Sequence, residues 1–352
     1  MSQLGINGMC AAAAQPTTYG LPDNPAVVSG NQRWAIGMSA QSDTKIEEAW
    51  IADIGMQRPQ ERSLQSAGLF APLGPITLGI GYAEQYLYEL KLQFERHDVN
   101  HPEGTGEFIT LTTQSRIYST GVVAGYKSVG LIGRRSQVDF GVGYYVNNMG
   151  QSAKFNSSTE PLGKMDDKVN SWSVGVHAKV PIGAVKFVDL GLYYDSGAII
   201  SKRCNQSADT SRETNWGDDI CYNGDGGLPP RVVAGCAINL TEGISILGDV
   251  QFISWSKFPF DYHDAEELSF TIVYSGLKQW QFSFGSYATE RPREDDHYFS
   301  SYQDFLTAIY LTAGIERQFK HLTVGISLAD SHRYSGHWRE QTIMKLTTSY
   351  RL

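Results

Sequence analysis

No stretch of this 352-residue chain is long and apolar enough for a membrane-spanning helix, which takes roughly 18 or more consecutive apolar residues. Helical spans are therefore not expected. Charge is scarce as well, at 19% of residues with a net of -8, and Lys and Arg are nowhere densely clustered. A nucleic-acid partner needs a basic patch, so that class of function falls away. The opening residues carry no charged-then-apolar leader, which means either that the chain is not secreted or that its numbering starts near a mature end. Cysteine numbers only four. Cys204 and Cys221 flank the polar stretch 205–220 and are a disulfide candidate, which if formed implies an oxidising compartment; spacing alone leaves bridge and free thiols equally open.

Signatures of catalysis and metal binding are missing too. There is no CxxC pair, and the one HxxxH spacing, His97 and His101, falls at a strand end where the rings are not aimed together. His97-Asp98 is followed by Val99-Asn100 and not by a nucleophilic serine. His263-Asp264 and Asp295-Asp296-His297 read as solvated loop clusters. The stretch 223–227 lacks the closing carboxylate of a calcium loop. No enzyme activity, metal or cofactor is expected.

What the chain does have is glycine (36), tyrosine (19) and phenylalanine (15), with 41% of residues hydrophobic. That composition suits a β structure with tight curvature and aromatic girdles. Its dominant pattern is dyad alternation. Val138, Phe140, Val142, Tyr144 and Val146 alternate with Gln137, Asp139, Gly141, Gly143 and Asn147, and the pattern returns in 171–180, 188–195, 244–252 and 322–328. Strands are predicted near 32–43, 61–72, 75–97, 106–128, 133–150, 169–182, 185–199, 229–240, 243–258, 266–276, 278–290, 305–319, 321–331 and 340–352.

These amount to about fourteen strands, the even number of a closed antiparallel barrel. Tight turns at 71–75, 129–133, 181–184, 240–243, 275–276 and 319–320 alternate with longer polar connections at 44–60, 98–105, 151–168, 200–228, 259–265, 291–304 and 332–339. Short turns at one rim and long loops at the other are the rhythm of a transmembrane β-barrel, and a soluble sandwich has no reason to keep it. Strands 75–97 and 106–128 exceed the roughly 9–11 residues of a tilted span and should project above the bilayer. Within 44–60, Ile46, Ala49, Trp50 and Ile54 have the spacing of one helical face, which predicts a short helix at the barrel mouth.

Residues 1–31 do not alternate and are too apolar for a solvated tail, so they divide from the barrel at 32–352 as a segment that must be buried. Strand parity turns Gln85, Glu89, Lys91, Glu95, Arg116, Asp139, Asp189, Asp195, Asp249 and Gln251 inward. Leu87, Tyr145, Phe187, Tyr193, Leu247 and Ile253 share that face and are the candidate ligand-binding residues, since a water-filled pore has no use for them. The charges among them read as mutual satisfaction inside a plugged barrel.

Gly5-Ile6-Asn7-Gly8, the run Ala11 to Ala14 and Asn24-Pro25-Ala26 resemble the opening of the FadL-type outer-membrane transporters. The stretch 247–258, with Asp249 and the ending Trp255-Ser256-Lys257-Phe258, is similar to a late strand of that family. The resemblance implies that Gly5, Gly8, Asn24, Pro25 and Ala26 belong to a hatch folded into the lumen. It also implies a bacterial outer-membrane location and passive uptake of hydrophobic small molecules such as fatty acids or aromatic hydrocarbons. Inward glycines such as Gly79, Gly81 or Gly191 would be the places for a wall strand to kink and open sideways. Polar, modest loops are closer to the related PorV-type barrels, which implies an alternative role as an accessory barrel binding a protein partner. Outer-membrane lipid is the surrounding partner on either reading.

Overall fold

The chain is described in a computed structural model over residues 20–21, 23–44, 46–51, 54–58, 62–95, 105–129, 136–156, 163–182, 185–200, 226–241, 243–258, 263–289, 308–333 and 341–352. Gly5, Gly8, His97, His101, Cys204, Cys221 and the cluster Asp295-Asp296-His297 lie outside the described residues. Alternation becomes strand wherever it was read. The strands are β1 (Ala35–Asp43), β2 (Ile46–Ile51), β3 (Ile54–Arg58), β4 (Arg62–Leu73), β5 (Ile76–Glu95), β6 (Phe108–Val129), β7 (Gln137–Phe155), β8 (Gly163–Ile182) and β9 (Val185–Asp195). They continue with β10 (Ala198–Ile200), β11 (Gly226–Leu228), β12 (Arg231–Asn239), β13 (Ile244–Ile253), β14 (Ala265–Tyr274), β15 (Trp280–Thr289), β16 (Ala308–Gln318), β17 (Leu322–Asp330) and β18 (Thr342–Arg351).

Fourteen of these close a ring of antiparallel neighbours in the order β1, β4, β5, β6, β7, β8, β9, β12, β13, β14, β15, β16, β17, β18. The seam pairs β18 with β1, Ala35 lying opposite Arg351. Closure matters because the ring has no terminal edge strand, and an apolar surrounding is strict about unpaired backbone groups.

The remaining strands decorate the loop end. β10 and β11 pair with each other in the fourth loop. β2 and β3 form a hairpin that adds to the upper end of β5, with Ile54 opposite Phe94. The helix expected at this place is therefore absent, and its residues are strand. The register slips between Ile46 and Ala49, and a slipped strand repeats at intervals of three as well as two, which imitates helical spacing. The exposed edge of β5 supplies the backbone partners that decide the outcome.

The barrel is much taller on one side. β5 to β8 are 20, 22, 19 and 20 residues long, whereas β12 to β18 are 9 to 11. The connection expected at 151–168 shrinks accordingly, because β7 and β8 stay paired up to Ala153 opposite Gly163. Above the apolar zone a strand is wetted on both faces, so its polarity no longer marks it off from a loop.

The outward face is apolar where the strands have spanning length. Ile36, Ile80, Val142, Leu192, Leu268 and Phe284 are all exposed. In water such a continuous surface would drive association; in lipid it is the stable arrangement. Aromatic side chains mark both ends of this zone. Near the short turns Trp280, Phe282 and Tyr274 lie in sequence with centroids 6.3 and 6.5 Å apart. There the Arg317 guanidinium covers Trp280 at 4.9 Å. Toward the loops Tyr82 meets Tyr118 at 5.9 Å and Trp172 meets Tyr194 at 5.2 Å. Rings with an apolar body and a polar tip favour such boundaries.

Candidate functional site

The inner wall is built around a row of glycines. Register places Gly125 of β6, Gly141 of β7 and Gly175 of β8 side by side, all turned inward. Three missing side chains on adjacent strands leave a shallow trough running across the sheet. The segment 23–31 lies in it. A Cβ at Gly125 would come within 2.7 Å of the Ser29 nitrogen. One at Gly141 would overlap the Pro25–Ala26 backbone, and one at Gly175 the Asn24 side chain.

Local sequence explains why this segment is compact enough to fit. Pro25 opens a 3-10 turn, Pro25–Gly30, and the Asn24 side chain caps it by accepting from the Ala26 N–H at 3.0 Å. The same side chain donates to the Val176 carbonyl at 3.2 Å, tying turn to wall. At the far end the Thr77 hydroxyl donates to the Asn31 carbonyl at 3.4 Å. Asn24, Pro25 and Ala26 are all fully buried. Motif and trough therefore fit each other residue for residue.

An ion pair holds the other end of the segment. The Arg231 guanidinium donates to Asp23 at 2.9 Å, lies 3.5 Å from Asp195 and sits 5.7 Å from the Tyr193 ring centroid. Leu21, two residues before Asp23, packs against β5: a Cβ at Gly81 would be 3.1 Å from its Cγ. Leu21, Val28, Phe70, Ala83, Val123 and Tyr145 form one buried cluster of segment and wall.

Of the candidate ligand residues, Tyr145, Tyr193, Leu247 and Ile253 are buried on the inner side. Tyr145 shares a hydrogen bond of 2.8 Å with Ser173, and Leu247 packs with Ala237 and Val273. Phe187 is half-buried under the Lys179 ammonium at 4.7 Å. Leu87 is placed differently. The β5–β6 register slips between Glu84 and Tyr86, so Leu87 stands opposite Arg116 in a row on the outer face, and its side chain lies outside the described residues. The same slip moves Glu89, Lys91 and Glu95, expected inside, into outward rows, and Arg116 is itself exposed. Asp139, Asp249 and Gln251 are buried inside as parity requires.

Several inner residues were not singled out from sequence. Arg231 follows Pro229-Pro230 and shares inward parity with Val233, which is the signal that could have found it. Tyr287 and Tyr310 stack face to face, 4.7 Å apart and 6° from parallel. The Tyr193 hydroxyl is buried with no hydrogen-bond partner among the described residues, and the Tyr287 hydroxyl is buried beside Tyr310. His177 lies 3.5 Å from both Asp139 and Asp189, close to the short-turn rim. No cluster of metal-ligating type occurs among the described residues.

Among the described residues, the wall is interrupted beside β5. The β4–β5 ladder runs from Leu73 opposite Ile76 to Ser66 opposite Ala83, and the β3–β5 ladder resumes only at Gln57 opposite Lys91. The slips at Gln65 in β4 and Gln85 in β5 flank this break. It begins just above Tyr82, at the upper aromatic belt. The kink considered at Gly79 or Gly81 is not where the irregularity falls: Gly79 is filled by Phe70 and Val123, and Gly81 by Leu21.

No protein-family model matches the chain, and no curated protein matches its sequence. Among solved structures it is similar to the P. putida toluene transporter TodX, at TM-score 0.65 and 12% identity, over 99% of this chain and 97% of that one. A monoaromatic hydrocarbon channel, CymD, aligns at TM-score 0.63 and 12% identity, over 98% and 95%. A Pseudomonas aeruginosa FadL homologue aligns at 0.55 and 10%, over 97% and 96%. The likeness spans both chains end to end, so the fold is that of a FadL-type barrel.

Proposed function

We propose that this chain is a bacterial outer-membrane channel for passive uptake of hydrophobic small molecules, with residues 1–31 as its hatch. The observation that carries this reading is the break in the wall beside a blocked bore. A channel for water-soluble solutes needs an open lumen, whereas here the segment 23–31 is set into the glycine trough and pinned by Arg231. A hydrophobic molecule has a second way out, sideways into lipid, and the interrupted ladder above Ala83 gives it one. The inner aromatics Tyr145, Tyr193, Tyr287 and Tyr310, with Leu247 and Ile253, supply contacts for the passage. The buried Tyr193 hydroxyl would serve the polar end of an amphipathic cargo.

Toluene and hydrocarbon channels of the same fold are consistent with this cargo class. The accessory-barrel alternative finds no comparable support in the inner wall. The test is uptake of radiolabelled toluene and oleate by cells lacking their own hydrophobic channel, with and without this chain in the outer membrane. Faster uptake of either, with no increased leak of a small sugar, is expected. Unchanged uptake, or a general leak, would sink the reading.

A further inference from the structure

The tall side of the barrel carries a groove that uptake through the lumen does not use. On the outward face of β6, β7 and β8, above the upper aromatic belt, register aligns Arg116, Gly150 and Asp166 in one row and Tyr118, Asn148 and Lys168 in the next. Gly150 is the floor. With no side chain between Arg116 and Asp166, a groove of about 680 Å³ opens along the strands. Its cationic edge is held in place: the Arg116 Nε donates to Glu84 at 3.1 Å, its Nη2 donates to the Tyr82 hydroxyl at 3.2 Å, and the guanidinium lies 5.6 Å from the Tyr118 centroid.

The groups on these walls are of the kinds that recognise a sugar. An aromatic face stacks on a pyranose ring, planar amide and carboxylate groups take pairs of hydroxyls, and Arg and Lys take phosphate. Its position selects the source of the sugar. Tyr118 belongs both to the groove and to the aromatic belt, and the wall continues below through Tyr144 and Trp172 to the exposed apolar Val142 and Val174. One molecule with a phosphorylated saccharide head and acyl chains would cover groove and wall together. We propose that the groove seats the headgroup of a phosphorylated glycolipid of the outer leaflet. This rests on the outer-membrane reading above.

Native mass spectrometry of the detergent-extracted protein tests it, with rough-type lipopolysaccharide as one probe and phosphatidylglycerol as the other. The groove is filled by Gly150→Trp, at a position where an added Cβ meets only the Asp166 carboxylate, at 3.4 Å. Wild type is expected to retain one lipopolysaccharide at concentrations where phosphatidylglycerol is not retained, and Gly150→Trp to weaken that retention at least tenfold. Gly150→Ala should retain it as wild type does. Equal retention of both lipids, or equal retention by wild type and Gly150→Trp, overturns the proposal, as does a stoichiometric protein in the lipid's place. Should Gly150→Trp alter the unboiled gel mobility, Asn148→Ala with Lys168→Ala takes its place under the same criteria. Failure of the outer-membrane reading would look different, since the chain would then not extract from that fraction at all.

Discussion

On the proposed hatch reading, single residues hold the segment 23–31 in place, and Arg231 is foremost among them. Its charge is buried against Asp23 and Asp195, so truncation leaves carboxylates without their cation, at a cost on the order of 3–5 kcal/mol. Arg231→Ala should therefore lower the unfolding midpoint. In a background free of native cysteines, it should also speed thiol labelling of Ala26→Cys, a position that is fully buried. If labelling stays as slow as in the parent, Arg231 is not what pins the segment. Glycines offer a paired control. Gly141→Ala sets a methyl into the Pro25–Ala26 backbone and should cost about 1–3 kcal/mol, whereas Gly150→Ala should stay within about 0.5 kcal/mol of wild type. Denaturant unfolding followed by circular dichroism separates the two.

At the level of strands, the ladder break predicts uneven protection. Amides that point toward β4 between Ala83 and Lys91 should exchange hydrogen faster than those of the paired stretch from Ile76 to Ala83. Uniform protection along β5 would contradict the break. Deleting Gln85 removes the extra residue of the slip and should reduce hydrophobic uptake about tenfold or more while the protein still folds, if the break is the exit. The sequence was legible as far as parity holds from the last turn. Tyr145, Tyr193, Leu247 and Ile253 lie on strands that parity follows correctly from the adjoining turn, and they came out on the correct side. Leu87 lies beyond Gln85, where one uncounted residue exchanges the faces. A bulge has no residue signature of its own, and so neither the outward place of Leu87 nor the hairpin over 46–58 could be read. The glycine trough was hidden for another reason: Gly125, Gly141 and Gly175 become a row only once three registers are known.

Closure of fourteen strands makes the molecule one hydrogen-bonded cylinder, which cannot unravel from an edge. Unboiled protein should migrate faster on a denaturing gel than boiled protein; identical mobility would count against a closed barrel. The height difference between β5–β8 and β12–β18 acts at the same scale. Its roughly ten additional residues per strand, at about 3.3 Å each, raise one side some 30 Å along the strands above the other. The rim is therefore cut on a slant. On the outer-membrane reading proposed above, an antibody or a phage arriving from outside would meet, on that side, a stiff upright panel of paired strands. Variants that escape recognition of that panel would then be substitutions on its outward rows, at positions where the ladder tolerates a new side chain without losing register.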